Sequence, residues 1–166
     1  MSKREGDCMK IIYIHHGQRL KGNPSSQNDG LTELGLKDCY LTADLLNDNK
    51  IKENIKAIYT SPFYRCKKTA EIVNTNLGVD IIDDDRLNEF GSIDGESWSE
   101  CQERLLLCLN DIENKYNDDD IVICVTSGVN ICAFIIKAFG LSVSLENPFL
   151  IVPSCSPIMF DYKKRK

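Results

Sequence analysis

Short apolar runs alternate with amphipathic stretches along this chain, beginning with IIYI at residues 11–14, too short for a helix and β-branched enough for a buried strand. The run stops at His15. After His15-His16-Gly17 comes QRLKGNPSSQNDG, polar and rich in Gly, Pro, Ser and Asn, which is the composition of a loop. Thr32 is placed to cap a helix whose apolar positions Leu34, Leu41 and Leu45 recur at helical spacing. A second strand, AIYTS from Ala57, stops at Pro62, and a helix with Cys66, Ala70 and Val73 on one face follows. A short VDII strand and an irregular acidic stretch lead to Ser97 and Glu100, a capping box for a long helix. Its predicted buried stripe is Trp98, Cys101, Leu105, Leu109 and Ile112. The strand IVICV from Ile121 runs through Thr126, Ser127 and Gly128 into the apolar helix VNICAFIIKAF, which Gly140 terminates. FLIV and SPIMFDY supply two later strands.

Strands and helices alternating at these lengths predict an α/β fold of three layers, a mostly parallel central sheet with helices on both faces. Residues 11–162 form the predicted domain, preceded by a flexible segment, 1–10, and followed by a basic tail, 163–166. Ligands of such sheets bind beyond the carboxyl ends of the strands. Three segments leave a strand carrying polar or charged residues: HHGQR, SPFYR and TSG. They are expected to converge on one cleft.

Composition narrows the classes of function. At 166 residues, with 42% hydrophobic and 27% charged residues, the chain suits one soluble domain. No apolar run is long enough to span a membrane and no apolar signal segment opens the sequence, so an intracellular protein, cytoplasmic or nuclear, is expected. Eight cysteines include no Cys-x-x-Cys pair and mostly sit in apolar segments, which favours reduced, buried thiols. With two histidines, a conventional zinc site is not expected, and nothing calls for a cofactor. Twenty basic against 25 acidic residues argue against direct nucleic-acid binding, so any polyanion site is local. Arg19 and Lys21 could add positive potential near the cleft, but a solvated loop face is the favoured reading.

Several motifs, in order, resemble the histidine phosphatase (phosphoglycerate mutase-like) superfamily. That family carries Arg-His-Gly after its first strand, where this sequence has His15-His16-Gly17. LTELGLKDCYLTADLL is similar to its first helix with a Leu-Thr-x-x-Gly opening, SPFYRCKKTAEIV to its Ser-Pro-x-x-Arg segment, and RLNEF to the stretch that supplies the acid. The resemblance implies a phosphoglycerate mutase-like fold and a catalytic set of His16, Arg65 and Glu89. His16 would take the phosphoryl group, Arg65 would grip its oxygens, and Glu89 would protonate the leaving group. It also implies a phosphate pocket of His15, His16, Gly17, Arg65, Ser127 and Gly128, with a phosphorylated small molecule or phosphoprotein as ligand.

Two positions depart from the family pattern. His15 stands where the family has Arg, and Ser127 where it has a second His. A permanent bidentate cation and a charge-assisted donor are thereby replaced by weaker groups. Losing one such donor typically costs about 100- to 1,000-fold in rate. Three readings follow: a pseudophosphatase or very weak phosphomonoesterase that binds a phosphorylated ligand or protein partner; an active phosphomonoesterase working through His16; or a structural subunit of a nuclear transcription assembly. The last rests on the similarity of SPFYRC and HHGQR to the eukaryotic branch that includes a subunit of the RNA polymerase III initiation machinery. Mutase activity, which needs both histidines, fits least.

Overall fold

A computed structural model of the chain describes residues 9–20, 28–141 and 151–161. Residues 1–8 of the expected N-terminal segment, Lys21, most of the polar loop, Phe149 and Leu150 of FLIV, and the basic tail lie outside the described residues.

In chain order the elements are β1 (Lys10–His15), α1 (Glu33–Leu46), a one-turn α2 (Asn49–Lys52), β2 (Ile55–Thr60), α3 (Tyr64–Val73), β3 (Asp80–Asp83), α4 (Trp98–Lys115), β4 (Ile121–Thr126), α5 (Gly128–Phe139) and β5 (Pro157–Asp161). The sheet order is β3-β2-β4-β1-β5, with β1 to β4 parallel and β5 antiparallel on the edge of β1. Every residue of β4 is buried, because a central parallel strand is covered on both faces. Successive β1 side chains divide between two cores. Ile11 and Tyr13 join Leu105, Leu109, Ile131 and Phe134 of α4 and α5; Ile12 and Ile14 join Leu46 of α1 and Cys66, Ala70 and Val73 of α3. This is the expected α/β architecture of three layers.

Local chemistry sets the helix ends. Thr32 caps α1, Ser97 and Glu100 form the capping box of α4, and Gly140 closes α5 in the left-handed conformation at φ 62. The α4 stripe is buried as predicted, with Trp98 half-buried against Phe90.

Three expectations need correction. Met9 and Lys10, assigned to a flexible segment, belong to the fold: Met9 is in the core and Lys10 pairs with Ile121 and Asp161. The predicted apolar face of α1 is the wrong one, since Leu34, Leu41 and Leu45 are 53%, 58% and 60% exposed. Gly35, Cys39, Thr42, Ala43 and Leu46 are buried instead. Small side chains are needed there because the backbone of Gln18 lies directly on Gly35 and Thr69 of α3 on Cys39. Finally, Ile151 and Val152 of FLIV form no strand, because β5 already occupies the free edge of β1. Val152 is buried all the same, and its carbonyl serves the site described next.

Candidate functional site

The carboxyl ends of β1, β2 and β4 come together because their register is tight: His15 lies opposite Thr126, and Thr60 opposite Val125. The ladder continues one step past the strands, with His16 N–H donating to Thr126 O (3.0 Å) and Ser61 N–H to Val125 O (3.1 Å). His16, the start of α3 with Arg65, and the start of α5 with Ser127 and Gly128 therefore leave the sheet side by side. Glu89 arrives from the segment after a 3-10 turn, Asp85–Leu87.

His16, Arg65 and Glu89 form one continuous chain. His16 Nδ1 lies 2.9 Å from Gly17 O; a carbonyl only accepts, so Nδ1 carries the proton and Nε2 holds a lone pair. Arg65 Nε–H donates to that Nε2 at 3.1 Å, and Arg65 Nη2 meets Glu89 Oε2 at 2.5 Å. The Arg65 guanidinium is fully buried and lies 4.8 Å from the centre of the Phe63 ring. Burial foremost, then the neighbouring His15, Arg65 and Arg19, push the proton affinity of the His16 ring down to a pKa of about 3. The ring is neutral throughout the physiological range, more firmly than an unperturbed histidine would be.

Gly17 has no room for a side chain. A Cβ there would sit 2.8 Å from Cys39 Sγ and 3.0 Å from Gly35 O, while Gly17 N–H donates to Thr69 Oγ1 at 2.9 Å. Thr69 in turn donates to Arg65 O, so one hydroxyl ties the His16 loop to the helix that carries the arginine.

The two departing positions are occupied by groups with other tasks. His15 Nδ1–H donates to Val152 O at 2.7 Å, leaving Nε2 as an acceptor, and burial above all lowers its proton affinity too. Its ring stands edge-on to His16, with centroids 4.6 Å apart, in space that Gly128 leaves open: a Cβ on Gly128 would meet that ring at 2.9 Å. Ser127 is buried, and its Oγ accepts from Asn130 N–H as the N-cap of α5. All seven residues singled out from the sequence are thus in one place.

Three further residues are tied to the site. Arg19 is paired with Asp29 at 2.8 Å, and its charge adds the smallest of the contributions that lower the His16 proton affinity. Thr69 and Asn130 are fully buried polar side chains. Asn130 interrupts the apolar run VNICAFIIKAF, and a lone polar residue in a buried helix requires partners. That was the available signal. Among the described residues no group of three His, Cys, Asp or Glu side chains could hold a metal.

Comparison with known proteins follows the same lines. A family model described as the histidine phosphatase superfamily (branch 1) matches residues 11–102 and 90–166. A protein of Hydrogenobacter thermophilus whose name includes phosphoserine phosphatase is 34% identical over 114 residues, which are 64% of this chain and 54% of that protein. The chain thus spans about half the length of that curated relative. YhfR of Bacillus stearothermophilus has the same fold, with a TM-score of 0.75 at 20% identity over 92% of this chain and 90% of that one. A phosphoserine phosphatase of Entamoeba histolytica, solved with 3-phosphoglyceric acid, gives a TM-score of 0.67 at 20% identity over 92% and 90% of the two chains.

Proposed function

The chain belongs to the histidine phosphatase superfamily, branch 1, and from that membership we propose that it binds phosphate monoesters between His16, Arg65 and Ser127 and hydrolyses them slowly through a phosphohistidine on His16. The observation that carries this reading is the chain from His16 Nε2 through Arg65 to Glu89, flanked by neutral side chains at positions 15 and 127.

In the first step the Nε2 lone pair attacks phosphorus and the P–O bond to the leaving group breaks, while Glu89, released from Arg65 and carrying a proton taken from the monoester monoanion or from solvent, passes that proton to the departing oxygen. Arg65 turns from Nε2 and Glu89 to the phosphoryl oxygens, where its planar fork holds two of them. In the second step water attacks the phosphohistidine, Glu89 takes up its proton, and the N–P bond breaks to release inorganic phosphate. Neutral His16 favours attack at any pH from about 5 upwards, since its pKa of about 3 lies well below that. Slowness follows from the pocket's charge. The His15 Nδ1–H is spent on Val152 O, and Ser127, whose oxygen accepts at the α5 cap, offers only a neutral hydroxyl donor, so Arg65 carries most of the transition-state charge. At about 100- to 1,000-fold per missing donor, the loss is about 10⁴-fold or more.

The test is hydrolysis of p-nitrophenyl phosphate and of a phosphomonoester panel, phosphoserine first, by the parent, His16→Ala and the His15→Arg/Ser127→His double variant. Slow turnover that vanishes in His16→Ala and rises in the double variant is expected. A silent parent beside an active double variant leaves binding alone as the function. Turnover that survives His16→Ala defeats the proposal.

A further inference from the structure

We infer that Asn130 is a positioning residue that holds Glu89 against Arg65, an inference that rests on the acid role proposed for Glu89. Residues 88–90, which follow the 3-10 turn Asp85–Leu87, pair with no strand, so no sheet ladder fixes their backbone. Besides the local turn bonds from Asn88 N–H to Asp85 O and from Ser92 N–H to Glu89 O, both 3.0 Å, the carboxamide of Asn130 ties it to the rest of the fold. Asn130 Oδ1 accepts Phe90 N–H at 3.0 Å, and Nδ2 donates to Asn88 O at 2.8 Å and to Leu87 O at 3.1 Å.

Asn88 O and Phe90 N–H belong to the two peptide groups that flank the Glu89 Cα. The side chain therefore grips the acid's backbone on both sides, as a neighbouring strand would. Nδ2 is itself held by Thr126 Oγ1 at 2.9 Å, at the end of β4, and Asn130 is completely buried. Two further ties assist, Thr126 Oγ1 donating to Leu87 O at 2.6 Å and Ser61 Oγ to Asn88 Oδ1 at 2.8 Å, but neither touches the peptide after Glu89. The Glu89 side chain, by contrast, is 30% exposed and meets Arg65 at a single oxygen. Its reach to a leaving oxygen is set by its backbone, and its backbone by Asn130.

A misplaced acid has a chemical signature. An alkoxide leaving group needs the proton, whereas p-nitrophenolate departs without it. A displacement of about 1 Å can cost about 100-fold in rate. Asn130→Ala is therefore expected to lower kcat/KM, which reports the first, proton-donating step, about 100-fold on phosphoserine and about threefold or less on p-nitrophenyl phosphate, the same split as Glu89→Gln. Asn130→Ser, checked alongside for a cooperative melt, should fall between the two. Equal losses on both substrates, or no loss on either, overturn the inference. If the parent is silent the split is read in the His15→Arg/Ser127→His background. Silence there too removes the proposed function, and the crystal structure of Asn130→Ala then decides on positioning alone: a displaced Glu89 upholds it, and an intact 2.5 Å contact with Arg65 refutes it.

Discussion

Acidification from neutral pH should destabilise this protein through His16. The ring has a pKa of about 3 in the folded chain and 6.5 as its ordinary value, so between those limits the unfolded chain binds the proton and the folded chain does not. Stability rises with pH wherever the unfolded state binds more protons; the His16 contribution is complete above pH 6.5 and is lost as pH falls towards 3. At pH 5 the unfolded ring is about 97% protonated and the folded ring about 1%, a difference of about 2 kcal/mol, against about 0.2 kcal/mol at pH 7. His15 shifts in the same direction and adds to the slope.

The comparison that isolates His16 is with His16→Gln, whose carbonyl oxygen can accept from Arg65 Nε–H but takes up no proton. Urea unfolding at pH 7, 6 and 5, followed through Trp98, the single tryptophan, gives each stability. Between pH 7 and pH 5 the parent should lose about 2 kcal/mol more than the variant. Parallel curves within about 0.5 kcal/mol would refute the reasoning, because the ring would then accept a proton in place as readily as in water.

Other consequences are open to direct measurement. Gly35→Ala should lower the melting temperature although alanine favours helix by about 1 kcal/mol, because the added Cβ meets the Gln18 carbonyl and lies 2.8 Å from its nitrogen; a raised melting temperature contradicts the packing. Leu41→Gln and Leu45→Gln should change stability by no more than about 0.5 kcal/mol, while Leu46→Ala should cost about 2–5 kcal/mol in urea titrations. Reversal of that order would restore the face of α1 read from the sequence. Arg65→Lys should weaken vanadate or phosphate binding at least about tenfold by calorimetry, since a point charge replaces a buried planar fork; unchanged affinity would place the anion elsewhere.

The sequence was legible where a single periodicity or a strand end decides the outcome. IIYI and IVICV could only be buried strands, and parallel strands present their carboxyl ends together, so His16, Arg65 and Ser127 had to meet. Glu89 joined them through the order of motifs alone. What stayed hidden depends on distances between elements. Three leucines at perfect helical spacing lost the core to Gly35, Cys39 and Ala43, because the close approach of Gln18 admits only small side chains. FLIV read as a strand until β5 claimed the edge it needed. Asn130 read as one polar residue in an apolar helix, and its partners lie about 40 positions away in sequence.

By composition alone, His15 is a weaker cation than arginine and Ser127 a weaker donor than histidine. In the structure each side chain also does a job for the fold. The His15 ring fills the space above Gly128 and satisfies the Val152 carbonyl, and Ser127 starts α5. Replacing an N-cap serine typically costs about 1 kcal/mol, and an arginine at position 15 would give up the imidazole bond to Val152 O. On the proposed function, catalysis and stability pull in opposite directions at these two sites. Reinstalling Arg and His should accelerate turnover while lowering the melting temperature, which separates a pocket merely lacking two donors from one whose replacements have become part of the scaffold.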